Sequence, residues 1–129
     1  MTPPINYDFL DDLSERVYQN AVFKGFHEAG KSETEIQRFA RYTANLHGEV
    51  SELWEAARRG QLDEPCDKEA FVPFIGGTRP LTCAEEELAD ILIRVLDTAR
   101  AQGIRIGECV KAKHGYNQSR PHMHGGKLA

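Results

Sequence analysis

The chain has 129 residues, 40% of them hydrophobic, and a formal net charge of −4, which fits a single domain and argues against binding of nucleic acid polymers by a basic surface. The three cysteines form no CxxC pair, so neither a disulfide framework nor a zinc site is expected. The first residues lack a signal-peptide pattern and no apolar run reaches membrane-spanning length, so we expect a soluble, cytoplasmic protein with no membrane partner.

Helical periodicity dominates the first half of the chain, and no strand-like alternation is long enough to compete with it. The first helix is predicted over residues 7 to 28, with Gly30 as a left-handed cap. Ser32 and Glu35 match a capping box for a second helix, which continues to about residue 59 and stops at Gly60.

The second half begins with a connection over residues 61 to 81, which holds three prolines and the Gly76-Gly77 pair. Its length favours a lid, a binding loop or an interface. Thr82 and Glu85 match a capping box for a third helix that ends near residue 103, and a fourth helix is predicted over residues 106 to 120. Together these elements predict an all-α, four-helix bundle-like domain.

The apolar face of the third helix is wider than one helix–helix contact requires. This face contains one stripe of four residues, Leu88, Leu92, Val95 and Ala99. Two further residues, Ile93 and Leu96, extend the apolar face past a half-turn. This width predicts packing on more than one side, as in a bundle completed by a homodimer or homotetramer.

Two acidic pairs lie inside the second and third helices, Glu49 with Glu52 and Glu87 with Asp90. At a spacing of three residues, each pair shares one helix face. Two such faces turned toward each other would form an oxygen-rich cluster suited to Mg²⁺, with Mn²⁺ as the alternative. Most helical acids are solvated or paired with Lys or Arg, and Arg94, one turn beyond Asp90, is a candidate partner of that kind.

Glu49 departs from the solvated pattern. On a helical wheel centred on Leu53 it lies beside Tyr42, at the edge of the apolar face. An ionised carboxylate at such a position requires a cation, a metal or a proton.

The fourth helix carries a row of phosphate-binding side chains, Lys113, Asn117 and Arg120, spaced i, i+4, i+7. Lysine supplies a point charge, arginine a bidentate fork and asparagine a neutral donor. The alternative is a basic C-terminal turn that complements the helix dipole. Combined with the acids, the row favours a metal–polyphosphate ligand. Trp54 and Tyr42 are candidates for stacking on a base, although aromatic residues at helical spacing are more often core.

These segments resemble the MazG-like all-α nucleotide pyrophosphohydrolases. The resemblance rests on Gly48 to Leu53, on Glu86 to Ile93, on Lys113 to Pro121 and on the His124-Gly125-Gly126-Lys127 tail. Some relatives carry a further glutamate before the first motif, where this chain has Gly48.

The resemblance implies Mg²⁺-dependent hydrolysis of a nucleoside triphosphate, NTP or dNTP, to the monophosphate and pyrophosphate, in homo-oligomers. It assigns metal binding and catalysis to the four acids, and substrate binding to Lys113, Asn117 and Arg120. The alternative is a non-catalytic helical module that binds nucleotides or another protein. A di-iron carboxylate site is disfavoured, because no histidine follows a glutamate at the required spacing.

Overall fold

The computed structural model describes residues 2–122, which are 63% helical and contain one small antiparallel sheet. The elements in chain order are α1 (Asp8–Phe23), a 3₁₀ turn (Ala29–Lys31), α2 (Glu35–Arg58), β1 (Phe71–Phe74), β2 (Gly77–Pro80), α3 (Cys83–Ala101) and α4 (Ile106–Ser119). The four predicted helices and the mostly helical class are thereby confirmed. No helix in the described range combines the length and the apolar character needed to cross a bilayer.

The described residues divide into two compact units. Residues 2–25 and 96–122 form the first unit, and residues 26–95 form the second. Helix α3 passes from the second unit into the first after Val95. That the chain acts as one domain stays a prediction.

The first unit is organised around α1, the end of α3 and α4. Leu96 and Ala99 are its most buried apolar side chains, and the buried Ser14 hydroxyl donates to the Leu96 carbonyl at 2.5 Å. The Asp11 carboxylate accepts the Gly107 N–H at 2.8 Å. This bond satisfies one of the free donors at the start of α4, so α1 fixes where α4 begins.

Helix α1 ends at Phe23, five residues before the predicted end. Gly25, rather than Gly30, adopts the left-handed conformation with φ of 85°, and its N–H donates to the Val22 carbonyl. Gly30 instead lies in the 3₁₀ turn.

Helix α2 begins with a capping box, but two residues later than predicted. The Thr34 hydroxyl accepts the Gln37 N–H, and the Gln37 side chain accepts the Thr34 N–H. Ser32 instead follows the end of the 3₁₀ turn, where its hydroxyl donates to the Ala29 carbonyl. The helix ends before Gly60, as predicted, with Gly60 at φ of 66°.

The connection over residues 61–81 contains a β-hairpin that the sequence did not predict. Strands β1 and β2 pair in the register Phe71↔Pro80 to Phe74↔Gly77. Gly76 supplies the positive φ of the turn, at 81°. Each strand is four residues long, and one of the four is a proline. Such strands are too short to show an alternating pattern in the sequence.

The start of α3 is fixed from several directions. Thr82 and Glu85 form the predicted capping box, with bonds of 2.9 and 3.2 Å. The two Arg79 amino groups also donate to the Glu85 carboxylate, at 2.7 and 2.8 Å. Pro65 forms a β-bridge with Thr82. The hairpin and the connection therefore hold the turn of α3 that precedes the predicted acidic pair.

The two glycines of α4 give a matched test of the packing in the first unit. A Cβ at Gly107 would lie 2.2 Å from the Tyr7 carbonyl oxygen, whereas a Cβ at Gly115 would meet nothing within 4 Å. Gly107→Ala should lower the free energy of unfolding by about 1–3 kcal/mol. Gly115→Ala should raise it by about 0.5–1 kcal/mol, because alanine is the better helix former. Urea denaturation followed by circular dichroism measures both, and equal effects would contradict this packing.

Candidate metal centre

Three of the four predicted acids converge within the second unit. Glu49 of α2 and Glu87 and Asp90 of α3 each offer one carboxylate oxygen, and these oxygens all lie within 4.8 Å of one another. The spacing of three residues in α3 places Glu87 and Asp90 on one helix face. Glu52, one turn beyond Glu49, is exposed, and its carboxyl group is within hydrogen-bonding reach of Glu87.

Glu49 is a largely buried carboxylate that forms an ion pair with Arg94. Its side chain is only 12% exposed, and its Oε1 accepts the Nε–H of Arg94 at 3.0 Å. The sequence predicted that Glu49 needs a cation and offered Arg94 as a partner for Asp90. The structure shows the hydrogen bond going to Glu49 instead. A helical wheel compares residues within one helix, and this contact joins two helices.

The surroundings of Glu87 oppose its ionisation. Burial, followed by the Glu52 carboxylate, raises the pKa of Glu87 to about 7. Oε2 of Glu87 is buried and has no hydrogen-bond partner within residues 2–122. Two ionised carboxylates offer each other only acceptors, so one proton shared by Glu87 and Glu52 would supply the missing donor.

Asp90 shows the same direction of shift. Burial raises the pKa of Asp90, and the Glu49 carboxylate raises it further, against an opposing effect of Arg94. By contrast, the Arg79 guanidinium holds the pKa of Glu85 at about 2, although Glu85 lies only two residues before Glu87. Glu85 is thus a capping carboxylate that is ionised, whereas the surroundings of Glu87 and Asp90 oppose their ionisation.

The donor set fits a hard divalent cation. Mg²⁺ and Mn²⁺ take carboxylate oxygens, and a site of this kind uses one or a few carboxylates together with waters and phosphate oxygens. The convergence of three oxygens and the unsatisfied Oε2 of Glu87 are the two observations that support this fit. Burial is the larger cause of the raised pKa values of Glu87 and Asp90, and repulsion from neighbouring carboxylates adds to it. A divalent cation would offset that repulsion.

The predicted row of Lys113, Asn117 and Arg120 lies in the first unit, and Lys113 and Arg120 meet around one aromatic ring. Lys113 Nζ is 4.6 Å and Arg120 Cζ is 5.5 Å from the centre of the Tyr116 ring. Tyr116 was not predicted to have a role, although its place between the two cations was visible in the sequence.

The predicted place of Arg120 within the helix is wrong. Helix α4 ends at Ser119, and Arg120 has an extended backbone with φ of −76° and ψ of 149°. This conformation is expected immediately before Pro121, because the proline ring excludes the helical conformation. The Arg120 N–H donates to the Asn117 carbonyl. Asn117 itself is exposed.

The two aromatic candidates have different environments. Tyr42 is 8% exposed and its hydroxyl lies 3.3 Å from His27 Nδ1, so it is a core residue and not a stacking platform. Trp54 is 64% exposed, and its role in stacking on a base stays a prediction. The predicted contribution of the His124-Gly125-Gly126-Lys127 tail lies outside the described residues.

The chain was compared with protein-family models, curated proteins and solved structures. None of them matches.

The pKa of Glu87 predicts how stability depends on pH. Folding raises this pKa from 4.5 to about 7, so the folded chain binds more protons in that interval and the free energy of unfolding falls as the pH rises through it. Glu87→Gln is neutral at every pH. In EDTA at about pH 8 it should exceed the parent chain in stability by about 1–2 kcal/mol, and this advantage should vanish near pH 4.5.

Urea denaturation across this pH range measures the difference. Glu69→Gln is the control, because Glu69 is exposed and lies outside the acid cluster. A Glu87→Gln chain with the same pH dependence as the parent chain would contradict the assignment.

Proposed function

We propose that the chain is a Mg²⁺-dependent nucleoside triphosphate pyrophosphohydrolase. The observation that carries the proposal is the convergence of Glu49, Glu87 and Asp90 from two helices. Their positions in the ExxE and ExxD motifs are those on which the resemblance to MazG-like enzymes rests. The products would be a nucleoside monophosphate and pyrophosphate, a reaction that removes unwanted nucleotides from the pool.

The acids would hold the metal through carboxylate oxygens. Bound there, Mg²⁺ would neutralise charge on the pyrophosphate leaving group and lower the pKa of the attacking water. Glu49, Glu87 and Asp90 would supply the ligands, and the Glu52 carboxyl group would lie beside Glu87. In this reaction, water would attack the α-phosphorus and release a proton to the solvent, and the bond from that phosphorus to the bridging oxygen of pyrophosphate would break.

The cations of the first unit would bind the phosphate chain. Lys113 and Arg120 lie around the Tyr116 ring, and Asn117 adds an amide donor. A lysine and an arginine fork are suited to the negative charges of phosphate oxygens. Trp54, exposed on α2, would stack on the base.

A pyrophosphate-release assay with a panel of NTPs and dNTPs tests the activity. Glu49→Gln removes a ligand charge while preserving the shape of the side chain. We expect turnover to fall roughly 100-fold or more, since losing a group that only orients a metal ligand already costs about 10–100-fold. Circular dichroism should show an unchanged helical content.

Glu55→Gln is the matched control, because Glu55 lies on the same helix and pairs with Arg58 and Arg59 outside the cluster. It should retain turnover within about twofold. Unimpaired turnover by Glu49→Gln would remove Glu49 from the site. Nucleotide binding without product from any member of the panel would favour the non-catalytic module.

The proposal includes a homodimer or homotetramer. Within the second unit, α2 and α3 leave large apolar side chains exposed: Val50 is 47% exposed, Leu88 57% and Leu92 50%. The sequence predicted Leu88 and Leu92 as part of an apolar face that packs on more than one side. Burial against a second copy would explain their exposure in a single chain.

Light scattering coupled to size exclusion measures the oligomer. The parent chain should elute as a dimer or a tetramer, and Leu92→Asp should shift it toward the monomer, because a buried aspartate costs several kcal/mol. Ile104→Asp is the control, since Ile104 is similarly exposed but lies outside α3. A monomeric parent chain would contradict the proposal.

A further inference from the structure

Arg94 is a cation that contacts the acid cluster from within the second unit. It extends from α3, one turn beyond Asp90, and its Nε–H donates to Glu49 Oε1 at 3.0 Å. Arg94 therefore pairs with one of the three carboxylates that converge in the second unit.

The contact between Arg94 and Glu49 has the features of a replaceable ion pair. Arg94 donates to Glu49 through Nε alone, whereas Arg79 donates to Glu85 through both amino groups in a fork. The Arg94 side chain is 41% exposed, and Glu49 is 12% exposed. The guanidinium can consequently move into water at little cost, while the Glu49 carboxylate has much less access to solvent.

We propose that Arg94 is an internal counter-cation that competes with the divalent metal for Glu49. The inference rests on the proposed function, since it requires that the acid cluster binds a metal. With no metal bound, Arg94 offsets the charge of Glu49 and stabilises the folded cluster. When the metal binds, it draws on the same carboxylate and repels the guanidinium, so Arg94 lowers the affinity of the site for the metal.

Mn²⁺ binding to the 129-residue chain, measured by electron paramagnetic resonance in the absence of nucleotide, tests this role. Arg94→Gln should bind Mn²⁺ roughly three- to tenfold more tightly than the parent chain, because it frees Glu49 and removes a positive charge. Arg94→Lys keeps the charge and should stay within about twofold of the parent. Arg100→Gln is the matched control, because Arg100 lies on the same helix and pairs with Glu15 in the first unit.

Thermal unfolding gives a second readout. In EDTA, Arg94→Gln should unfold at a lower temperature than Arg100→Gln, and saturating Mn²⁺ should raise its unfolding temperature more than that of the parent chain. If Arg94→Gln fails to fold even with Mn²⁺, the comparison of Arg94→Lys with the parent decides. In that case Mn²⁺ binding by Arg94→Lys weakened more than about twofold would overturn competition in favour of a role in orienting Glu49.

The outcomes separate this inference from the proposed function. Suppose that Glu49→Gln abolishes Mn²⁺ binding, whereas Arg94→Gln leaves it unchanged or makes it weaker. This result overturns the role of Arg94 but still supports the metal site. Equal tightening by Arg94→Gln and Arg100→Gln also overturns it, because the effect would then be one of net charge. Mn²⁺ binding that Glu49→Gln leaves intact overturns both.

Discussion

Repulsion among carboxylates is the constraint on which the second unit depends. Glu49, Glu87 and Asp90 bring their oxygens together where water has limited access, and like charges at such distances cannot all stay ionised without a counter-charge. The chain meets this constraint with the Arg94 guanidinium at Glu49 and with a raised pKa at Glu87. A divalent cation would replace both arrangements, which is why the cluster suits a metal.

The surrounding elements keep these acids together. The capping box of Thr82 and Glu85 and the fork from Arg79 fix the first turn of α3, immediately before Glu87. The β-hairpin, which carries Arg79, thus contributes to the placement of the acids without contributing a ligand. A connection that would otherwise be a flexible loop becomes a support for the site.

The sequence predicted the parts of this arrangement that depend on local spacing. The i, i+3 acids, the capping box at Thr82 and the stop at Gly60 follow from contacts within one helix or one turn. The pairing of Arg94 with Glu49 joins residues 45 positions apart, so no local pattern shows it. The early end of α1 reflects a choice between Gly25 and Gly30, which single-residue propensities cannot decide.

Crystals soaked in MnCl₂ test most directly whether Glu49, Glu87 and Asp90 form one cation site. Anomalous scattering of Mn²⁺ locates the ion independently of any assay of turnover. We predict a peak within coordinating distance of carboxylate oxygens of both helices, with the Arg94 guanidinium turned away from Glu49. A Mn²⁺ peak elsewhere, with the Arg94–Glu49 bond intact and no ion among the three acids, would contradict the claim.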